Sequence, residues 1–558
     1  MKKINKLLYI FAIAALLFTS CNEDEFLDAE PKGALNSSQL QTPEGIATLV
    51  NSAYAGLAQN FTDPNPAFFQ PASNWSFCDV RSDDAYKGGG GVGDISEYHD
   101  LELGNIRADN FTLERKWKAL YVGISRVNEA LGALRDVSLE DVPLRDIHIG
   151  ELRLIRGHFY FDLMKNFGSY VYIDESISFD EREKVPNTFN VQELWGHIEA
   201  DFLDAIEKLP EQRELAGQVN KFAAHAYLCR TYLFQAKWDE AVIQADAVIN
   251  SGRYGLFSDF TKLWDVDSEH GPEFIWSIEF STNDGSASGN INWGNLLNTP
   301  RGAAYNGDNF HMPSQNLANA YKVDANGLPL FDSFNSSDVT NSDQVDPRLD
   351  HTIGRLGIPW KEFKDEVYNE TWVRDAGTYG TLGSKKCQID PTSPYMIKGW
   401  PWGGSPLNWP IIKYSDLILM KAEALIQSNQ NLEEARSIIN SIRERAQNSP
   451  YVKTLDGISD AANYKIGLYP SATWTQSYGL QALKFERRLE LALEGIRFYD
   501  LVRWGDASEV LNTYIQQEAS KRTYLNGANF VAGKNEYLPI PQDEIDRSGG
   551  IYIQNPAY

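Results

Sequence analysis

The chain has 558 residues, 42% of them hydrophobic and 12% aromatic, which suffices for a large buried core and excludes a disordered chain. Its 76 Asp and Glu against 51 Lys and Arg leave a formal charge of −25. That field repels nucleic acid and anionic lipid headgroups and leaves a neutral ligand such as a sugar unaffected. Cys21, Cys78, Cys229 and Cys387 are too scattered for a metal knuckle or a CxxC pair, so three free or buried thiols are expected, with Cys21 a special case.

In chain order, residues 1–20 read as a signal peptide: basic residues, an apolar run from Leu7 to Phe18, then small residues. The run is shorter than the ~20 residues that span a bilayer. The ending LFTSC resembles a lipobox with Cys21 as the lipidated residue, and an ordinary signal with a chance cysteine is the alternative. Residues 21–41 then form a linker that starts with an acidic patch, Asn22 to Glu25. Residues 42–60 open a helix with Thr42 as N-cap and Pro43 in the first turn. Residues 74–94 mix aromatics, charges and glycines without a period and read as a loop. Residues 113–135, 150–167 and 191–209 read as amphipathic helices.

Residues 219–250 form a helix–turn–helix of about 34 residues, the length of a tetratricopeptide repeat, and residues 413–446 repeat the plan. Between them, residues 257–410 are rich in Gly, Asn, Pro, Trp and Tyr, with one alternating strand-like run from Glu273 to Ser281. A loop-rich stretch of this length usually carries function. Residues 485–505, FERRLELALEGIRFYDLVRWG, place Phe485, Leu489, Ala492 and Ile496 on one helix face. Glu486, Arg487, Glu490 and Glu494 fall elsewhere on the wheel and are expected to form surface or scaffold ion pairs. The fold class is therefore mainly α: a tetratricopeptide-like helical scaffold with a large irregular insertion and few short strands.

The run ERRLELALEGIRFYDLVRWG resembles the C-terminal signature of the SusD/RagB family of surface lipoproteins, which bind nutrients for a TonB-dependent outer-membrane transporter. Residues 408–425 (NWPIIKYSDLILMKAEAL), 536–545 (EYLPIPQDEI) and 554–558 (QNPAY) resemble the same family, so the likeness covers nearly the whole chain. It implies one SusD-like domain over 42–558, with helical repeats mainly in 42–256 and 411–505, ligand-holding loops in 257–410 and a C-terminal segment from 506. It also implies a lipid anchor at Cys21, display on the outer face of an outer membrane, and a SusC-like transporter as partner.

Catalytic and metal signatures are missing. The eight histidines never fall into HExxH, and Asp94 follows Gly88–Gly93 where a phosphate loop needs lysine. Gly285–Gly289 has Ala at the middle position of GxSxG, and Asp324–Gly327 departs from an EF-hand loop at Leu328. No cofactor is expected; a structural calcium held by scattered loop oxygens would leave no signature. A glycosidase needs only two carboxyl groups, and no spacing of acids specifies one.

The loops do offer aromatic and amide chemistry suited to sugars, whose C–H faces stack on Trp and Tyr and whose hydroxyls pair with Asn, Asp and Arg. Trp75 with Arg81, Asp83 and Asp84 is one such set; Asn290, Asn292 and Trp293 are a second. Arg301 with Tyr305 is a third, and Arg355 with Trp360 a fourth. The expected function is capture of an oligosaccharide or polysaccharide without covalent chemistry, with oligopeptide capture, a glycoside hydrolase or a scaffold-only role as rivals.

Overall fold

The computed structural model describes residues 40–60, 67–285, 289–302 and 304–558. The signal peptide, most of the linker and Cys21 lie outside them. Eleven helices of eight or more residues are found among the described residues. In chain order they are α1 (Pro43–Gly56), α2 (Phe111–Arg135), α3 (Arg145–Phe167), α4 (Val191–Lys208), α5 (Lys221–Phe234) and α6 (Trp238–Ile249), followed by α7 (Tyr414–Gln427), α8 (Leu432–Asn448), α9 (Gln476–Glu490), α10 (Arg497–Trp504) and α11 (Ala507–Glu518). Their starts follow local capping chemistry. Thr42 accepts a hydrogen bond from the Gly45 amide, Asn190 and Glu193 form a reciprocal capping box, and Asn220 accepts from the amides of Phe222 and Ala223.

Each helix from α1 to α8 packs on the next, and α9 closes on α7 and α8. Small residues set the spacing. A Cβ on Gly157 of α3 would lie 2.4 Å from the Phe202 ring of α4, so the two helices meet closer than any larger residue would allow. The stack is unbroken between α6 and α7 although 164 positions separate Ile249 from Tyr414 in number by insertion. Val242 and Ile249 of α6 pack against the core that Leu419, Ala422 and Ile426 form on α7. Residues 257–410 are thus an excursion from one continuous helical array.

The strands are short and pair two by two: β1 (Ala85–Gly88) with β3 (Phe310–Pro313), and β2 (Phe274–Ile278) with β4 (Trp409–Lys413), both antiparallel. The strand expected at 273–281 is β2, and its partner β4 brings the chain back from the excursion to start α7.

Two expectations are corrected. Residues 73–89 are buried throughout, with a 3-10 turn at Asp79–Arg81 and strand β1, so the stretch expected to be a loop runs through the interior. The helix expected over 485–505 breaks: Leu493 and Gly495 adopt φ of +65° and +72°, and the Gly495 amide donates to Asp79 Oδ2 at 2.9 Å. A Cβ at Gly495 would sit 2.0 Å from the Ser73 carbonyl, so a side chain there is excluded by space as well as by backbone conformation.

The acids of this region are not on the surface. Glu486 and Glu490 are fully buried and Glu494 nearly so. Arg348 reaches Glu486 at 2.6 Å and Glu490 at 3.1 Å, Arg445 joins Glu490 at 2.5 Å and Glu273 at 3.1 Å, and Arg443 holds Glu486 at 3.0 Å. Lys386 and Lys413 share Glu494, at 2.6 and 2.8 Å. Glu273, Arg348 and Lys386 belong to the excursion, so this network clamps it to the scaffold. Cys78, Cys229 and Cys387 are free, buried thiols, as expected.

Candidate functional site

Six of the nine expected binding residues are interior groups with partners of their own. Trp75 is 0% exposed and donates its indole N–H to the Gly294 carbonyl at 2.9 Å. Arg81 donates to the Asn535 carbonyl at 2.7 Å and stacks 4.0 Å over Phe498. Asp83 chelates Arg497 at 2.9 and 3.0 Å, and Asp84 takes Arg488 at 2.7 Å. Burial works against both carboxylates; Arg488 and Arg497 overcome it at Asp83, whose acidity is strengthened, whereas burial prevails at Asp84 and weakens it. Arg355 forks onto Asp350 at 2.7 and 2.8 Å. Tyr305 donates to the Ile389 carbonyl at 2.5 Å and accepts the Trp360 indole N–H at 2.9 Å. None of these presents an open aromatic face or an exposed polar edge to a ligand, because each is buried against partners of its own.

The other three, Asn290, Asn292 and Trp293, sit on one turn, with Asn290 exposed and Asn292 interior. From β2 the chain runs on so that Phe280 N–H donates to Asn408 Oδ1 at 2.7 Å and Ser281 N–H to the Asn290 carbonyl at 2.8 Å. Asn292 is a buried anchor: its backbone N–H donates to the Ser405 carbonyl at 3.0 Å and its side-chain amide to the Leu407 carbonyl at 2.9 Å. These bonds fasten the turn that carries Asn290 and Trp293 to the base of a second loop, residues 393–405. Asn290 is exposed and bonded to Asp284, Trp293 is half-buried, and Arg301 is exposed nearby in sequence.

The second loop carries what sequence reasoning missed. Of the fourteen tryptophans, only Trp400 and Trp402 are classed as exposed, at 74% and 43%, and Tyr395 on the same loop is exposed too. The loop is nonetheless held. Ile397 N–H donates to the Gly404 carbonyl at 2.9 Å, closing the turn around Pro401, which is buried, and Gly403 fits against Thr299 where a Cβ would come within 2.5 Å. Tyr395 donates to Asp267 at 3.0 Å. Met396 packs into the buried cluster of Tyr305, Trp360, Tyr368 and Trp372, so the aromatics expected as platforms are the foundation beneath one. The available signal was the run GWPWGG, two tryptophans flanking a proline amid glycines, in which rings have no neighbouring bulk to bury them.

The loop presents flat apolar rings, and the turn fastened to its base carries the exposed amide of Asn290. Among the described residues no three His, Cys, Asp or Glu side chains are grouped to hold a metal ion. No helix among them is long and apolar enough to cross a membrane.

Comparison with known proteins matches residues 272–558 to the family model described as "SusD family" and residues 25–233 to one described as "Starch-binding associating with outer membrane". SusD-like protein P2 of Formosa agariphila is 23% identical over 570 residues, covering 98% of this chain and 99% of the relative. A solved laminarin-binding SusD-like protein superimposes with a TM-score of 0.68 at 24% identity, over 93% of this chain and all of its own. Surface glycan-binding protein A of Bacteroides thetaiotaomicron, solved with laminarihexaose, gives 0.64 at 20% identity, over 92% and 99%. With one family model spanning half the chain and relatives matching end to end, this protein belongs to the SusD/RagB family.

Proposed function

We propose that this protein is a glycan-binding lipoprotein of the outer membrane that captures oligosaccharides at the cell surface and passes them, uncut, to a TonB-dependent transporter. The observation that carries the binding role is the pair Trp400 and Trp402, held in water on a pinned loop to which the turn carrying Trp293 and Asn290 is fastened. Indole surface left in water is unfavourable by roughly 25 cal/mol per Å², and stacking a sugar's C–H face on it recovers that term. The laminarin and laminarihexaose named for two structural relatives support a glucan-type ligand. Two or three such contacts, each about 1 kcal/mol beyond area burial, less the ordering of a flexible glycan, correspond to micromolar-to-millimolar dissociation constants. Affinity of that order suits a protein that must hand over its cargo.

Anchoring through Cys21 is supported by the lipobox-like LFTSC, and outer-membrane association by the description of the family model matched over 25–233. The binding role is tested by calorimetry with laminarin oligosaccharides, then starch, xylan and mannan fragments. Trp400→Ala and Trp402→Ala are each expected to weaken binding about tenfold, from roughly 1.4 kcal/mol of lost contact, with the melting temperature unchanged. Full affinity in the double variant removes the loop from the site, and release of reducing ends by purified protein overturns the non-enzymatic reading.

A further inference from the structure

We infer that the protein holds a second binding site, for a small neutral hydroxylated ligand of glycerol to single-sugar size, in the cavity bounded by α3, α5, β4 and α10. The site is independent of the Trp400 loop and does not rest on the function proposed for it.

The cavity measures about 70 Å³ and is walled by the rings of Phe161, Tyr227, Trp409 and Tyr499, all buried. At roughly 10–15 Å³ of such space per water, it has room for about five waters or one polyol of similar bulk. Two polar side chains that line it, His158 and Asn74, are 6% and 3% exposed, and each leaves one buried polar atom without a partner. His158 Nδ1 shares a hydrogen bond with the Tyr227 hydroxyl at 2.9 Å, which leaves Nε2 as the unpartnered ring nitrogen. Burial lowers the imidazole to about 3, which keeps it neutral. Asn74 donates its amide N–H to the Asp162 carboxylate at 2.9 Å, so Oδ1 is the unpartnered atom. The cavity therefore offers two unmet polar atoms, His158 Nε2 and Asn74 Oδ1.

The charges around it ask for no ion. Asp416 takes Arg230 at 2.7 Å and Arg487 at 2.9 Å, Asp500 takes Arg487 at 2.8 Å and Arg503 at 2.7 Å, Glu494 takes Lys413 at 2.8 Å, and Lys165 holds Asp162 at 2.8 Å. Each lining charge is already ion-paired inside the protein, so a ligand need carry no charge to satisfy it. A hydroxyl group, donor and acceptor at once, is the complement of the two unmet atoms, and the ring walls suit the C–H faces of a polyol.

The test follows the His158 ring ¹⁵N resonances in ¹⁵N-histidine-labelled full-length protein while glycerol, and separately glucose, is titrated from millimolar to molar concentration. A saturable shift confined to His158 is expected, unchanged in the Trp400→Ala/Trp402→Ala double variant and at least tenfold weaker in His158→Gln as read by Trp409 fluorescence. No shift, or a linear drift shared by all eight histidines, means that water alone occupies the cavity and overturns the inference. The parent titration decides even where His158→Gln does not fold. Loss of oligosaccharide binding with the His158 response intact would separate this site from the surface one.

Discussion

An indole does opposite work in this protein according to what surrounds it. Trp75 is enclosed, edge-on to Tyr98 at 5.2 Å, and its N–H satisfies a buried carbonyl, so truncation leaves both a cavity and an unpaired acceptor. Trp75→Ala is expected to cost about 3–5 kcal/mol of stability, read by urea denaturation, while any protein that remains folded keeps its glycan affinity. Trp400→Ala should show the converse, within about 0.5 kcal/mol of parent stability and weakened in binding. The two residues are the same chemical type in segments of similar composition. What separates them is that residues 73–89 run through the interior whereas 393–405 turn back on themselves at its edge.

At the level of elements, the decisive feature is the buried ion network between α8, α9 and the excursion. Its carboxylates replace water with guanidinium groups, and removing one partner strands a charge. Glu490→Gln is expected to destabilise by about 3–5 kcal/mol, because Arg348 and Arg445 both lose an ionic partner. The same residue gives a pH dependence of definite sign. Burial alone would raise its pKa, but Arg445 and Arg348 overcome this and hold it at about 2, below the ordinary value of about 4.3 in an unfolded chain. Its contribution is therefore complete above about pH 4.5 and is lost as the pH falls toward 2. Denaturation curves at pH 6 and pH 3 should show a smaller acid-induced loss for Glu490→Gln than for the parent; equal losses would assign acid sensitivity to other carboxylates.

Over the whole molecule, the helical stack and the excursion are mutually dependent. The first half, residues 42–256, ends on α6, whose Val242 and Ile249 are covered by α7 from the far side of the excursion. A fragment of 42–256 is expected to leave that face bare and to behave as a partly packed helical protein, with far-ultraviolet dichroism retained, near-ultraviolet dichroism lost and dye binding gained. A cooperative unfolding transition with native near-ultraviolet signal in the fragment would show instead that the first repeats are stable alone.

Amino-acid order by itself determined the helices, since capping residues, 3.6-residue periodicity and small residues at crossing points are local properties that survive without knowledge of neighbours. Helices were expected at 42–60, 113–135 and 191–209 and are found at Pro43–Gly56, Phe111–Arg135 and Val191–Lys208. Family membership was legible for the same reason, because its signature is a contiguous run of residues. Tertiary structure alone decided which aromatics meet water and which acids are paired within: Trp75, Tyr305 and Trp360 became interior supports, Glu486 and Glu490 became buried counter-ions, and Trp400 and Trp402 remained outside. Burial depends on contacts between residues hundreds of positions apart, such as Asp84 with Arg488, and in segments without a period nothing local records them.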